Sequence, residues 1–201
     1  MAPDSVVRSG DRVAFLGDSL TQGGWEKPDG WVRQVVAALA DDGVVVEVVP
    51  AGIGGHRSVD MADRLQRDVL DHRPDVVVLS CGVNDVWHGE GGVPLAEYRE
   101  HVADIVRRCK AAGARAVVLT STIIGEELDN ETNRLLAPYN AFLRELADSE
   151  GCLLIDTGGA FVAAVTTGPG TGAHLTDDGV HFNARGEQVM ARAVLEGLGA
   201  S

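Results

Sequence analysis

Short runs of consecutive apolar residues alternate along this chain with longer stretches whose apolar positions recur every three or four residues. The short runs predict strands at 12–16, 44–49, 75–80, 114–120 and 152–155. A run such as Val76-Val77-Val78-Leu79 has no polar alternation, which implies burial on both faces. The helical patterns fall between them. One covers 30–41, with Trp31, Val35, Ala38 and Leu39 at core spacing, and a second covers 58–71 with Ser58 as its cap. A third begins at Pro94 and stops before Gly113, a fourth covers 133–149, and the last covers 184–198 behind Asn183.

Strands alternating with helices, without an internal repeat or linker, predict one α/β domain over 1–201. The expected architecture is a three-layer α/β/α sandwich around a five-stranded parallel sheet in order 2-1-3-4-5. Only 157–180, rich in Gly and Thr, breaks the pattern, with a short helical piece at 159–165. Irregular connections of that length inside a compact domain tend to carry function.

Composition narrows the partners. Of 201 residues, 45% are apolar and 23% charged, as in ordinary globular domains, and no apolar run approaches membrane-spanning length. The net charge of −13 repels nucleic acid and anionic lipid. The basic cluster Arg107-Arg108-Cys109-Lys110 reads as a solvated helix end. Three scattered cysteines and an opening stretch without an apolar leader lead to an expectation of a cytoplasmic protein with reduced thiols. No cofactor and no metal site is expected, since Asp18 and Asp85 are too sparse a carboxylate set for a hard cation. The partner is expected to be a small molecule, and a homo-oligomer is left open.

In an open α/β sheet, ligands bind beyond the carboxyl ends of the strands, where the strand order reverses. Three loops meet there: Gly17-Asp18-Ser19-Leu20, Pro50-Ala51-Gly52-Ile53-Gly54-Gly55-His56 and Cys81-Gly82-Val83-Asn84-Asp85. Ser19 offers a hydroxyl, which needs a base to take its proton. His181 is that base, and Asp178, three residues earlier, can reach its Nδ1 across one tight turn, with Asp177 as fallback. The Ser19 amide, a glycine amide of the second loop and the Asn84 side chain supply donors for a developing oxyanion.

These blocks, together with Asp178-Gly179-Val180-His181, closely resemble the four blocks of the SGNH (GDSL) hydrolase family, in its order and over roughly 13–193. The resemblance implies Ser19, Asp178 and His181 as the catalytic triad. It implies an oxyanion hole of Ser19, Gly55 and Asn84, with Gly52 and Gly54 as alternative donors. Pro50 stands where the family's second block opens with Asn. The run Gly82-Val83-Asn84-Asp85-Val86-Trp87 is similar to the carbohydrate acetylesterase branch.

The expected activity is therefore hydrolysis of short-chain acyl esters, acetyl foremost, of a carbohydrate or small alcohol, through an acyl-enzyme intermediate. A longer-chain lipase, thioesterase or acyltransferase would use the same triad. A catalytically silent ligand-binding module is the alternative of another class, and a flavodoxin-like cofactor protein shares the architecture. Trp87, His88, Trp25 and His174 are candidate substrate contacts. Trp31 reads as core, Cys81 as a buried small residue, and His56, His72 and His101 as surface or loop residues.

Overall fold

A computed structural model describes residues 6–167 and 174–200. Five parallel strands form one sheet in the order β2-β1-β3-β4-β5, as the alternation of elements predicts. They are β1 (Arg12–Gly17), β2 (Glu47–Gly52), β3 (Val76–Ser80), β4 (Arg115–Leu119) and β5 (Leu153–Ile155).

Successive strand residues point to opposite faces, so each strand feeds two cores. Val13, Phe15, Val76, Val78, Val117, Leu119 and Ile155 face one core. Trp31, Val32 and Val35 of helix α2 (Trp31–Asp41) and Val194 of helix α8 (Ala184–Leu198) close it. Ala14, Leu16, Val49, Val77, Leu79 and Val118 face the other core. It is closed by α3 (Ser58–Asp68), α5 (Leu95–Ala111) and α6 (Glu131–Glu150). Trp31 is wholly buried, its indole N–H donating to the Leu20 carbonyl at 2.9 Å.

The structure corrects four expectations about elements. Two segments taken for loops are short helices, α1 (Ser19–Glu26) and α4 (Val83–Trp87). The second strand lies three residues later than its valine run, because β1 pairs Arg12 through Gly17 with Glu47 through Gly52. Pro50 falls inside it without penalty, since β2 is an edge strand and has a side with no ladder partner. Ser58 does not cap α3: Arg57 occupies that position, and the Ser58 amide donates to Asp85 Oδ1 from across the site. Finally, the short helical piece expected at 159–165 is present but longer, as helix α7 (Thr157–Thr167), with Thr157, Gly158 and Phe161 buried. The remainder of that stretch at 168–173, and the opening residues 1–5, lie outside the described residues.

Candidate active site

Helix α1 begins directly at the carboxyl end of β1, which sets Ser19 at the rim of the sheet as the helix's first residue. Asp18 caps the helix, its Oδ1 accepting the Leu20 N–H at 2.9 Å. The Ser19 amide belongs to the first turn and has no intrahelical acceptor, so it points outward as a donor.

His181 reaches this rim from the far end of the chain. Asp178 Oδ1 accepts the main-chain N–H groups of Val180 at 3.0 Å and His181 at 2.8 Å, closing a tight turn. Gly179, at φ 91°, supplies the left-handed residue that this turn requires. The other oxygen, Oδ2, lies 2.7 Å from His181 Nδ1, and His181 Nε2 lies 3.0 Å from Ser19 Oγ. An ionised carboxylate only accepts, so Nδ1 carries the proton and Nε2 is left to accept from the hydroxyl. The hydrogen bond to His181 drives the Asp178 carboxyl down to about 2. Asp177, the fallback, is exposed; its main-chain N–H donates to the His181 carbonyl at 2.8 Å.

On the opposite side of Ser19 the second loop turns through 53–56, closed by His56 N–H donating to the Ile53 carbonyl at 3.3 Å. Gly55 holds φ 76° at the third position, as a type II turn demands. The three glycines now separate. Gly52 is inside β2, packed against α1 so closely that a Cβ would lie 2.3 Å from Gln22 N. The Gly54 amide donates to Gln22 Oε1 at 2.8 Å. Gly55 N–H has no protein acceptor among the described residues, which makes it the donor available to an oxyanion. Asn84, buried in α4, donates one amide hydrogen to the His56 carbonyl at 3.0 Å, and its second has no acceptor among the described residues.

Several residues outside the expected triad and oxyanion donors hold these parts in place. Arg64 of α3 is buried; it donates to the Gly17 and Ala51 carbonyls at 2.9 and 2.8 Å and to His56 Nδ1 at 3.0 Å. It thereby ties the ends of β1 and β2 to the turn at 53–56. A charge at helical spacing from Met61 and beside Leu65, on a core-facing stripe, is the signal that would have found it. Asp85 Oδ1 accepts from both the amide and the hydroxyl of Ser58, at 2.9 and 2.5 Å, joining α4 to α3. Burial raises the Asp85 carboxyl above its ordinary value.

Glu126, in the loop after β4, grips the segment that leads into the His181 turn. It accepts from Leu175 N at 2.5 Å and from Thr176 N and Oγ1, each at 2.9 Å. Its second oxygen meets His174 Nδ1 at 2.8 Å. Gly125 N–H donates to the Gly179 carbonyl beside it at 2.6 Å. No sequence pattern marks Glu126, because the contact spans some fifty positions of chain.

The candidate substrate contacts divide. Trp87 is 50% exposed on α4, one helical turn beyond Asn84, and His88 is exposed at that helix's end. Trp25 is turned away: partly buried against the core, its ring carries the Arg33 guanidinium at 4.6 Å. His174 is occupied by Glu126 and exposed to solvent rather than lining the pocket. A cavity of about 380 Å³ beside Ser19 is walled instead by Gln22, Lys27, Asp177, His181 and Phe182. Cys81 is buried, and burial pushes its thiol well up, so it stays a protonated thiol. Among the described residues no group of three His, Cys, Asp or Glu side chains is placed to hold a metal ion. None of their helices is long and apolar enough to cross a membrane.

The GDSL-like Lipase/Acylhydrolase family model matches residues 15–189. An acetylxylan esterase of Geobacillus stearothermophilus is 29% identical, the match covering 96% of each chain. A crystal structure of Axe2, an acetylxylan esterase from that organism, superposes with a TM-score of 0.87 at 28% identity, covering 97% of both chains. The acetyl xylan esterase AlAXEase is 31% identical, with a TM-score of 0.84 over 92% of this chain and 98% of its own. Other solved forms of Axe2 include a serine-to-alanine and an aspartate-to-alanine variant, each described as a catalytic mutant.

Proposed function

The chain belongs to the GDSL-like lipase/acylhydrolase family and is a carboxylic ester hydrolase, and from that premise we propose that it deacetylates carbohydrates through an acyl-enzyme on Ser19. The observation that carries this reading is the unbroken chain from Ser19 Oγ to His181 Nε2 at 3.0 Å and from His181 Nδ1 to Asp178 at 2.7 Å.

Ser19 Oγ attacks the ester carbonyl while its proton passes to His181 Nε2. Asp178 stabilises the imidazolium that results. The carbonyl oxygen becomes an oxyanion held by the amides of Ser19 and Gly55 and by Asn84 Nδ2. Collapse of the tetrahedral intermediate breaks the bond to the alcohol, which leaves with the proton from Nε2. Water then gives a proton to His181 and attacks the acyl-serine, releasing acetate and restoring the hydroxyl.

An acetylated carbohydrate fits the surroundings. The Asp178 and His181 side chains are 55% and 50% exposed, which leaves the leaving-group side open to a bulky alcohol. Half-exposed Trp87 offers an apolar plane of the kind that packs against a sugar ring. The names of the full-length relatives point to the same substrate class.

Substituting Ser19→Ala tests the reading, with p-nitrophenyl acetate and acetylated xylo-oligosaccharide as substrates. Removal of the nucleophile is expected to lower kcat by a factor on the order of 10⁴ or more while the fold survives. A variant that hydrolyses either ester at the parent rate would refute the mechanism. A series from acetate to palmitate sets the acyl length, since a pocket shaped for acetyl penalises each added methylene that it cannot house.

A further inference from the structure

We propose that Gln22 is a positioning residue for transition-state stabilisation, fixing the direction of the Gly55 N–H through its grip on Gly54. The proposal rests on the Ser19 esterase reading and adds a residue that never touches the substrate's reacting atoms.

Gln22 stands one helical turn after the nucleophile on α1. Its side-chain oxygen accepts the Gly54 N–H at 2.8 Å, while its side-chain nitrogen donates to Glu26 Oε1 at 3.0 Å. The two partners dictate the orientation of the amide. Turned over, it would set its NH₂ against the Gly54 N–H and its oxygen against the Glu26 carboxylate, so only one orientation satisfies both.

The peptide held in this way is the one just before the turn's central peptide. In a turn with two successive glycines the peptide between them rotates easily, since neither residue has a Cβ to oppose the change. Rotation of the 54–55 peptide would aim the Gly55 N–H away from the site, the difference between a type II and a type I turn. Main-chain atoms alone leave that choice loosely fixed: the closing hydrogen bond of the turn is 3.3 Å long. Gln22 anchors the near end of the turn, and the Asn84-to-His56 hydrogen bond anchors the far end.

The same contact also registers the donor against the nucleophile. A Cβ built on Gly54 would lie 3.8 Å from Ser19 Cβ, and α1 already rests on Gly52. Because Gln22 and Ser19 share one helical turn, the oxyanion loop is fastened to the element that carries the attacking oxygen. Misalignment of donor and nucleophile weakens the transition state much more than it weakens ground-state binding.

The experiment measures kcat and KM on p-nitrophenyl acetate for Gln22→Ala and Glu26→Ala, with Ser19→Ala and melting temperatures alongside. Loss of one oxyanion donor costs about 10²–10³ in kcat, so loosening rather than removing it is expected to cost Gln22→Ala about tenfold, with KM within about twofold. Glu26→Ala leaves the Gln22 side-chain oxygen to accept the Gly54 N–H and is expected to stay within about threefold of the parent, which a role through Glu26 would not allow. Parent-like kcat in Gln22→Ala, a change confined to KM, or a Glu26→Ala variant as slow as Gln22→Ala would each overturn the proposal. An active Ser19→Ala variant would remove the reading beneath it. An inactive one beside an unimpaired Gln22→Ala would remove this inference alone.

Discussion

Two aspartates flank the catalytic serine, and their surroundings push them in opposite directions. Asp18 is 2% exposed beneath α1, and burial raises its carboxyl to about 6. Asp178 has a side chain 55% exposed, and its hydrogen bond to His181 lowers it to about 2. The contrast extends to the two halves of the site. In the proposed mechanism the nucleophile and oxyanion half grows out of the sheet, with Asn84, Asp85 and Arg64 all buried. The acid–base half sits on an exposed turn that returns across the rim and is fastened there by side chains. Donors that must meet a developing charge gain from rigidity and exclusion of water, whereas a base that must take and return a proton has to remain reachable. The division of labour follows that logic.

Within the exposed half, the largest effect should come from breaking its polar bond. Asp178→Asn retains the Oδ1 acceptor for the Val180 and His181 amides, so the turn survives and the melting temperature should barely move. What it loses is the carboxylate opposite Nδ1, and with it control of the imidazole's tautomer. A fall in kcat on the order of 10³–10⁴ is expected, with KM little changed. Parent-like turnover in this variant would mean that Asp178 only shapes the turn. The lowered carboxyl also sets a direction in pH. Whatever native-state stability the Asp178–His181 bond provides is complete above an unfolded carboxyl's range and is lost as pH falls toward about 2.

A smaller effect tests how the exposed half is held. Glu126 touches neither Asp178 nor His181, yet it gathers the amides of Leu175 and Thr176 just before them. Glu126→Ala should slow turnover about tenfold, because small displacements of a catalytic group are costly. Amide hydrogen exchange should quicken at 174–183 and leave the strands unchanged, since local opening follows local anchoring. Uniform exchange across the molecule would show that Glu126 serves general stability.

The two halves also differ in how far sequence reveals them. The doubly covered sheet was legible because β3 and β4 carry continuous apolar runs between helical patterns, and its order followed from right-handed crossovers. Ser19, Asn84 and the Asp178-to-His181 spacing were legible because their chemistry is local: a strand end followed by a hydroxyl, or a carboxylate one turn from an imidazole. Helix α1 was not, for SLTQGGWE carries two glycines and little helix propensity. Tertiary contacts make it a helix: the Asp18 cap, and Gly24 lying so close beneath Trp31 that any side chain there would clash. The valine run at 44–46 misled the second strand for the opposite reason, since Val45 is 63% exposed and pairing with β1 fixed the register further on. Gln22, Arg64 and Glu126 act across distances along the chain that no local pattern encodes.

The effect on turnover should be smallest at the buried aspartate, whose ionisation bears on stability instead. A carboxyl raised to about 6 in the folded protein binds its proton more tightly there than in the unfolded chain. Between the ordinary carboxylate range and pH 6 the folded state therefore holds more protons, and stability falls as pH rises through that window. Asn at position 18 cannot ionise and still offers an oxygen to the Leu20 amide, so the helix cap is kept. Chemical denaturation of Asp18→Asn and the parent at pH 4 and pH 7 isolates the difference, because any constant packing penalty cancels between the two conditions. The gap should move by roughly 2–3 kcal/mol in the variant's favour, as a shift of about two pKa units implies. Parallel stability curves would show that Asp18 meets no ionisation penalty in its pocket, and the contrast between the two halves would then rest on hydrogen bonding alone.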